Sequence, residues 1–125
     1  MFKVIAIGAV VCVFSMPAFA QENLLGKWGG SYEYASATGR ININVDLNIT
    51  SVEGNVVKAV ARDYSRGGCG GEHQLSGKLN GNSLGMIADK PGGAMGDCKW
   101  GFRANVEGNK MNGKIGPNDL VLNKK

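Results

Sequence analysis

Few side chains in this sequence have the type and spacing for chemistry. The single histidine, His73, adjoins Glu72 and follows Asp63 by ten residues, so an acid–base pairing with either carboxylate is chemically available. A lone imidazole supplies only one of the three or four convergent ligands that a metal site requires. A hydrogen-bonded surface histidine is therefore expected, with no metal, no cofactor and no enzymatic activity. Tyr64 stands between Arg62 and Arg66, a set able to meet a sugar, a carboxylate or a partner protein; a solvated loop edge is the plainer expectation. Cys69 and Cys98 have neither C-x-x-C spacing nor a neighbouring ligand cluster. That favours a disulfide over a metal-binding or nucleophilic thiolate.

The compartment follows from the first twenty residues. Met1-Phe2-Lys3 precedes an apolar run from Val4 to Phe14, and Ser15 to Ala20 ends in an A-x-A arrangement. This is the layout of a signal peptide cleaved after Ala20, with an apolar run too short to span a bilayer. Residues 21–125 then form a single mature domain, periplasmic or secreted. Removing the leader also removes Cys12 and leaves one even pair of cysteines in an oxidising environment. Bridging Cys69 to Cys98 closes about thirty residues and stabilises by roughly 3–4 kcal/mol in the loop-entropy picture. The formal net charge of +4 falls by one with Lys3. A mildly basic domain of this kind excludes a nucleic-acid footprint and leaves a slight preference for acidic envelope polymers.

The elements that must position these residues are strands. Val52-Glu53-Gly54-Asn55, Leu79-Asn80-Gly81-Asn82 and Val106-Glu107-Gly108-Asn109 recur at a fixed interval of 27 residues. Gly-Asn suits a two-residue hairpin loop with positive φ at both positions. The register then sets Val52 against Val57, Leu79 against Leu84, and Val106 against Met111. Ile41 to Ile49 and Cys98 to Val106 alternate apolar with polar, the pattern of antiparallel strands buried on one face. A slip in parity between Ile49 and Val52 predicts a bulge near Thr50-Ser51. Eight strands result, over 26–35, 40–52, 56–64, 72–79, 83–88, 97–107, 110–115 and 119–123. The fold class is all-β, an eight-stranded antiparallel up-and-down barrel, whose closure removes exposed edges. The alternative is a flattened sandwich of the same strand order.

Meander topology gathers the three Gly-Asn turns at one end and the longer connections at the other. The open end holds residues 35–39, 65–71, 89–96 and 116–119, with Asp63, Arg66, His73, Lys90 and Asp97 on its rim. Trp28, Tyr32, Tyr34, Ile41, Ile43, Trp100 and Phe102 are expected to point inward. A barrel of eight strands is just wide enough to be filled by side chains or to hold one small ligand.

Gly26-Lys27-Trp28, at the start of the first strand, resembles the G-x-W signature of the calycin superfamily, which includes lipocalins, avidins and small bacterial metalloprotease inhibitors. The resemblance implies a barrel whose floor is closed by Trp28 beneath a basic residue near the chain end, Lys124 or Lys125. A lipocalin is longer and carries a C-terminal helix, and the biotin-contacting tryptophans of avidins have no counterpart here. The inhibitors are nearest in length, single disulfide and lysine-rich end; they insert an N-terminal arm into the protease, whereas only Gln21–Leu25 precede Gly26.

Three functions are compatible with these observations. The first is binding of a small apolar or amphipathic ligand at the barrel mouth by Trp28, Tyr32, Tyr34, Trp100 and Phe102. The second is inhibition of an exported hydrolase, of protease or lysozyme type, through open-end loops bearing Tyr64, Arg66, His73, Lys90 and Met95. The third is a structural envelope role without a ligand. A cavity large enough for a ligand favours the first and a filled interior the second.

Overall fold

The computed structural model describes residues 24–125; the expected signal peptide, with Cys12 and the cleavage site after Ala20, lies outside them. Eight strands follow one another: β1 (Gly26–Ser36), β2 (Gly39–Glu53), β3 (Val56–Asp63), β4 (Gly71–Asn80), β5 (Ser83–Ala88), β6 (Gly101–Glu107), β7 (Lys110–Ile115) and β8 (Asn118–Lys124). Each pairs antiparallel with the next, and β1 pairs with β8, so the sheet closes into an up-and-down barrel without a free edge. Among the described residues no helix is long and apolar enough to cross a membrane.

The hairpin registers follow the sequence pattern. Val52 faces Val57, Leu79 faces Leu84 and Val106 faces Met111, and the β2–β3 register shifts between Ile49 and Ser51. The turns themselves differ from expectation. Gly54, Gly81 and Gly108 have φ of 63°, 59° and 61°, and no residue other than glycine has positive φ among the described residues. Positive φ at the first loop position alone is the II′ pattern, which twists with the strands as well as I′ does. Glycine carries the left-handed step, and asparagine follows it in an ordinary conformation.

Alternation fills the barrel. Trp28, Val45, Leu47, Ile49, Val57, Leu75, Leu84, Met111, Leu120 and Leu122 are almost wholly withdrawn from water, with Met86, Trp100 and Phe102 beside them. At the tight end the Trp28 indole Nε1–H donates to the Leu24 carbonyl at 2.9 Å. Lys124 Nζ stands 5.2 Å from the centre of the Trp28 ring, within range of a cation–π contact.

Two inward assignments need correction. Tyr34 and Ile41 face each other in register, yet they are 46% and 48% exposed. β8 meets β1 only from Trp28 to Tyr32, and β3 meets β2 only from Val45 downward. Residues 33–42 are therefore a two-stranded ribbon rising above the rim, where inward parity no longer means burial. The sixth strand also starts later than the alternation from Cys98 suggests. Residues 92 and 98 form an isolated bridge that belongs to the loop, and regular pairing begins at Gly101.

Candidate functional site

The open end is organised around Trp100. Asp63 ends β3 with the inward parity of Val57, Ala59 and Ala61, and is only 2% exposed. Its Oδ2 accepts hydrogen bonds from the Tyr32 hydroxyl and from the Trp100 indole Nε1–H, each at 2.8 Å. Its Oδ1 accepts from the backbone N–H of Ser65, also at 2.8 Å. One buried carboxylate thus joins β1, β6 and the loop leaving β3. Buried carboxyl groups need such donors, since desolvation without partners is severe. Burial first, and then the bond to Asp63, push the Tyr32 phenol well above the usual tyrosine range.

His73 sits on the other side of the same indole. It is 3% exposed, stacked on Trp100 with ring centres 5.9 Å apart and planes 16° from parallel. Its Nε2–H donates to the Cys69 carbonyl at 2.8 Å, and Nδ1 lies beside Gly92. The expectations of a surface histidine and of Asp63 on the rim are both overturned. On β4, His73 shares the parity of Leu75 and Leu79, and strict alternation carries both polar groups inward. Neither nitrogen of His73 is bonded to a carboxylate, so no acid–base pair with Glu72 or Asp63 forms; Glu72 turns outward to Arg62 at 3.5 Å.

The Cys69–Cys98 disulfide is formed, with Cα atoms 5.2 Å apart. It ties the loop 64–70 to the loop 89–100. Gly92 and Cys98 exchange backbone hydrogen bonds at 2.8 and 2.9 Å, which pinch the base of the second loop into a finger. Met95, 77% exposed, stands on that finger, with its Cγ close over Gly68.

Between the ribbon and the loop 64–70 opens a cavity of about 600 Å³. Tyr32 and Ile43 lie at its base, Tyr34 and Ile41 on the ribbon wall, and Ile115 on the β7 side. Arg66, Asn42 and Asn118 supply polar groups at its margin, and Arg66 has no acidic partner among the described residues. Of the five residues expected to contact a ligand, Tyr32 and Tyr34 line this cavity. Trp28, Trp100 and Phe102 do not; they are packed in the core, Trp28 at the opposite end. Of the expected partner-facing residues, Tyr64 and Arg66 line the cavity, His73 is buried, and Lys90 and Met95 lie on the second loop outside it. Among the described residues no group of histidine, cysteine or carboxylate side chains could hold a metal.

Fold and site together define the class: a closed, eight-stranded up-and-down barrel with a filled lower interior and a part-apolar cavity at its disulfide-tied mouth. Comparison with family models, with curated proteins and with solved structures finds no match to this chain.

Proposed function

We propose that this chain is an exported, non-enzymatic binding protein that takes one small amphipathic molecule at the barrel mouth, in the manner of the calycin-like barrels whose G-x-W start it resembles. The observation that carries the reading is the cavity of about 600 Å³ with Tyr34 and Ile41 half exposed on its wall. That size lies within the usual range of small-molecule sites, which are mostly apolar with a few placed polar groups. An apolar body would cover Tyr34, Ile41, Ile43 and Ile115. A polar or anionic end would meet Arg66, Asn42 and Asn118. Burying the exposed half of Ile41 or Tyr34 contributes about 1 kcal/mol, roughly fivefold in affinity. The test uses an anilinonaphthalene sulfonate probe with native mass spectrometry for co-purified ligand. Ile41→Ser and Tyr34→Ala should each weaken probe binding about fivefold without changing the unfolding midpoint. Unchanged affinity in both variants would sink the proposal.

A second reading, inhibition of an exported hydrolase, draws on the other loop. Met95 stands exposed on a finger braced by the disulfide and by the Gly92–Cys98 bridge. Rigid loops with an apolar tip lose little entropy on docking. A stoichiometric complex with a hydrolase that is lost in Met95→Asp would favour this reading over the first.

A further inference from the structure

A second groove lies on the outside of the barrel and meets the mouth cavity only at Asn44 and Tyr64. It is an open groove over the outer face of β1 and β2 with a volume of about 560 Å³. Its floor is Gly29 and Ser31, which stand opposite Asp46 and Asn44 in register. Tyr64 and Lys125 form its sides. Exposed aromatic rings are usually mobile, but this one is held at two points. The Tyr64 backbone N–H donates to the Asn44 carbonyl at 3.0 Å, and its hydroxyl donates to Asp46 Oδ2 at 2.8 Å. The ring is thereby laid along the outer face of β2 while the residue stays 53% exposed. Lys125 reaches the other oxygen, Oδ1, at 3.0 Å, and its backbone N–H is bonded to the Lys27 carbonyl.

The lining chemistry narrows the ligand. Asp46 and Lys125 supply the only charged side chains in the lining and they are paired, so these side chains favour neither an anion nor a cation. Tyr64 is its only exposed large apolar side chain, since Val45 is buried, which disfavours a lipid chain. What remains is one fixed aromatic face above a floor of hydroxyl, amide and carboxylate groups. An ionised carboxylate has about four acceptor positions, so Asp46 retains capacity beyond Tyr64 and Lys125. An aromatic ring offers apolar area with little rotamer freedom to lose.

We infer that this groove is a site for a neutral carbohydrate, with one sugar ring stacked on Tyr64 and its hydroxyl groups bonded to Asp46, Asn44 and Ser31. Placement on the outer face suits a polymer, because a chain can continue along the barrel wall in both directions. The site is separate from the mouth cavity except for Asn44 and Tyr64, which border both.

The experiment is titration calorimetry of the purified protein with neutral tetrasaccharides, a β-linked glucose tetramer and an N-acetylglucosamine tetramer, joined to amide chemical-shift mapping. Saturable binding by at least one tetramer is expected, insensitive to sodium chloride, with the largest shifts at Gly29, Gly30 and Ser31, which line the groove and not the mouth. Tyr64→Ala should weaken binding at least tenfold. Tyr64→Phe, which keeps the ring but loses its anchor to Asp46, should weaken it severalfold, and Ile41→Ser, confined to the mouth, should leave it unchanged. Absence of binding by both tetramers would overturn the inference. So would wild-type affinity in Tyr64→Ala, or shifts confined to Gly67, Gly68 and Ile115.

Discussion

Replacing Asp63 should destabilise the barrel more than any other single polar change at the open end. Asp63→Ala deletes the acceptor of three hydrogen bonds. The Ser65 N–H lies near the surface and can turn to water. The Tyr32 hydroxyl and the Trp100 indole cannot, since both residues are at least nine-tenths buried. Each buried donor left without a partner costs about 1–3 kcal/mol, which puts the loss at roughly 2–6 kcal/mol. That is a large part of the 5–15 kcal/mol typical of a domain. Tyr32→Phe probes the same contact from the other side. It removes one donor and leaves Asp63 bonded to Trp100 and Ser65, so it should cost only about 1 kcal/mol. Asp63→Asn falls between, because one of its positions now presents an N–H to donors. Urea unfolding followed by far-ultraviolet circular dichroism ranks the three, and exchange of the Trp100 indole proton reports the contact directly. If Asp63→Ala loses no more than Tyr32→Phe, the carboxylate does not hold the mouth together and the reasoning fails.

Two further outcomes follow from the same structure. The Tyr32 phenol is held above its ordinary value in the folded state, so between about pH 10 and its native pKa the folded chain binds more protons than the unfolded one. Stability should be fully present below about pH 10 and fall as pH rises beyond it. The fall should be shallower in Tyr32→Phe; identical slopes in urea midpoints taken at pH 9 and 11 would contradict this. At Gly30 an added Cβ would stand 1.8 Å from the Val121 carbonyl oxygen, a backbone atom of the adjacent strand. Gly30→Ala should therefore cost about 3 kcal/mol or more and lower the melting temperature by over 10 °C. Gly54→Ala, with open space around it but φ of 63°, should cost about 1 kcal/mol.

Most of the barrel was legible because period-two alternation and repeated turn chemistry point the same way. Each Gly-Asn pair fixes a register, and a fixed register decides which face every residue of both strands presents. The apolar alternation of Ile43, Val45, Leu47 and Ile49 then agrees with burial along β2. The same rule misled at Tyr34 and Ile41, where the local pattern continues but the flanking strands stop. Burial at a ribbon tip depends on how far neighbours extend, and that length is a property of the closed barrel rather than of β1 or β2 alone. The turn type was missed for a smaller reason. Gly-Asn satisfies either primed turn, and only the backbone shows that asparagine never enters the left-handed region.

The site was harder to read because its decisive residues break the usual association of charge with surface. Alternation puts Asp63 in line with Ala61 and His73 in line with Leu75, whereas their polarity points to the rim. Partners inside the mouth are what let alternation prevail over polarity. Trp100 offers an indole N–H to Asp63 and a ring face to His73, while Ser65 and Cys69 supply a donor and an acceptor from one loop. A carboxylate and an imidazole buried on opposite sides of one indole each bond to loop backbone, Asp63 at Ser65 and His73 at Cys69, and do not bond to each other. The cavity above them is consequently lined by Tyr34, Ile41 and Arg66, whose polar and apolar surfaces are uncommitted. Buried polar groups at this mouth therefore fix the loop, and the exposed lining of the cavity consists of side chains that alternation assigned to the core or to a solvated edge.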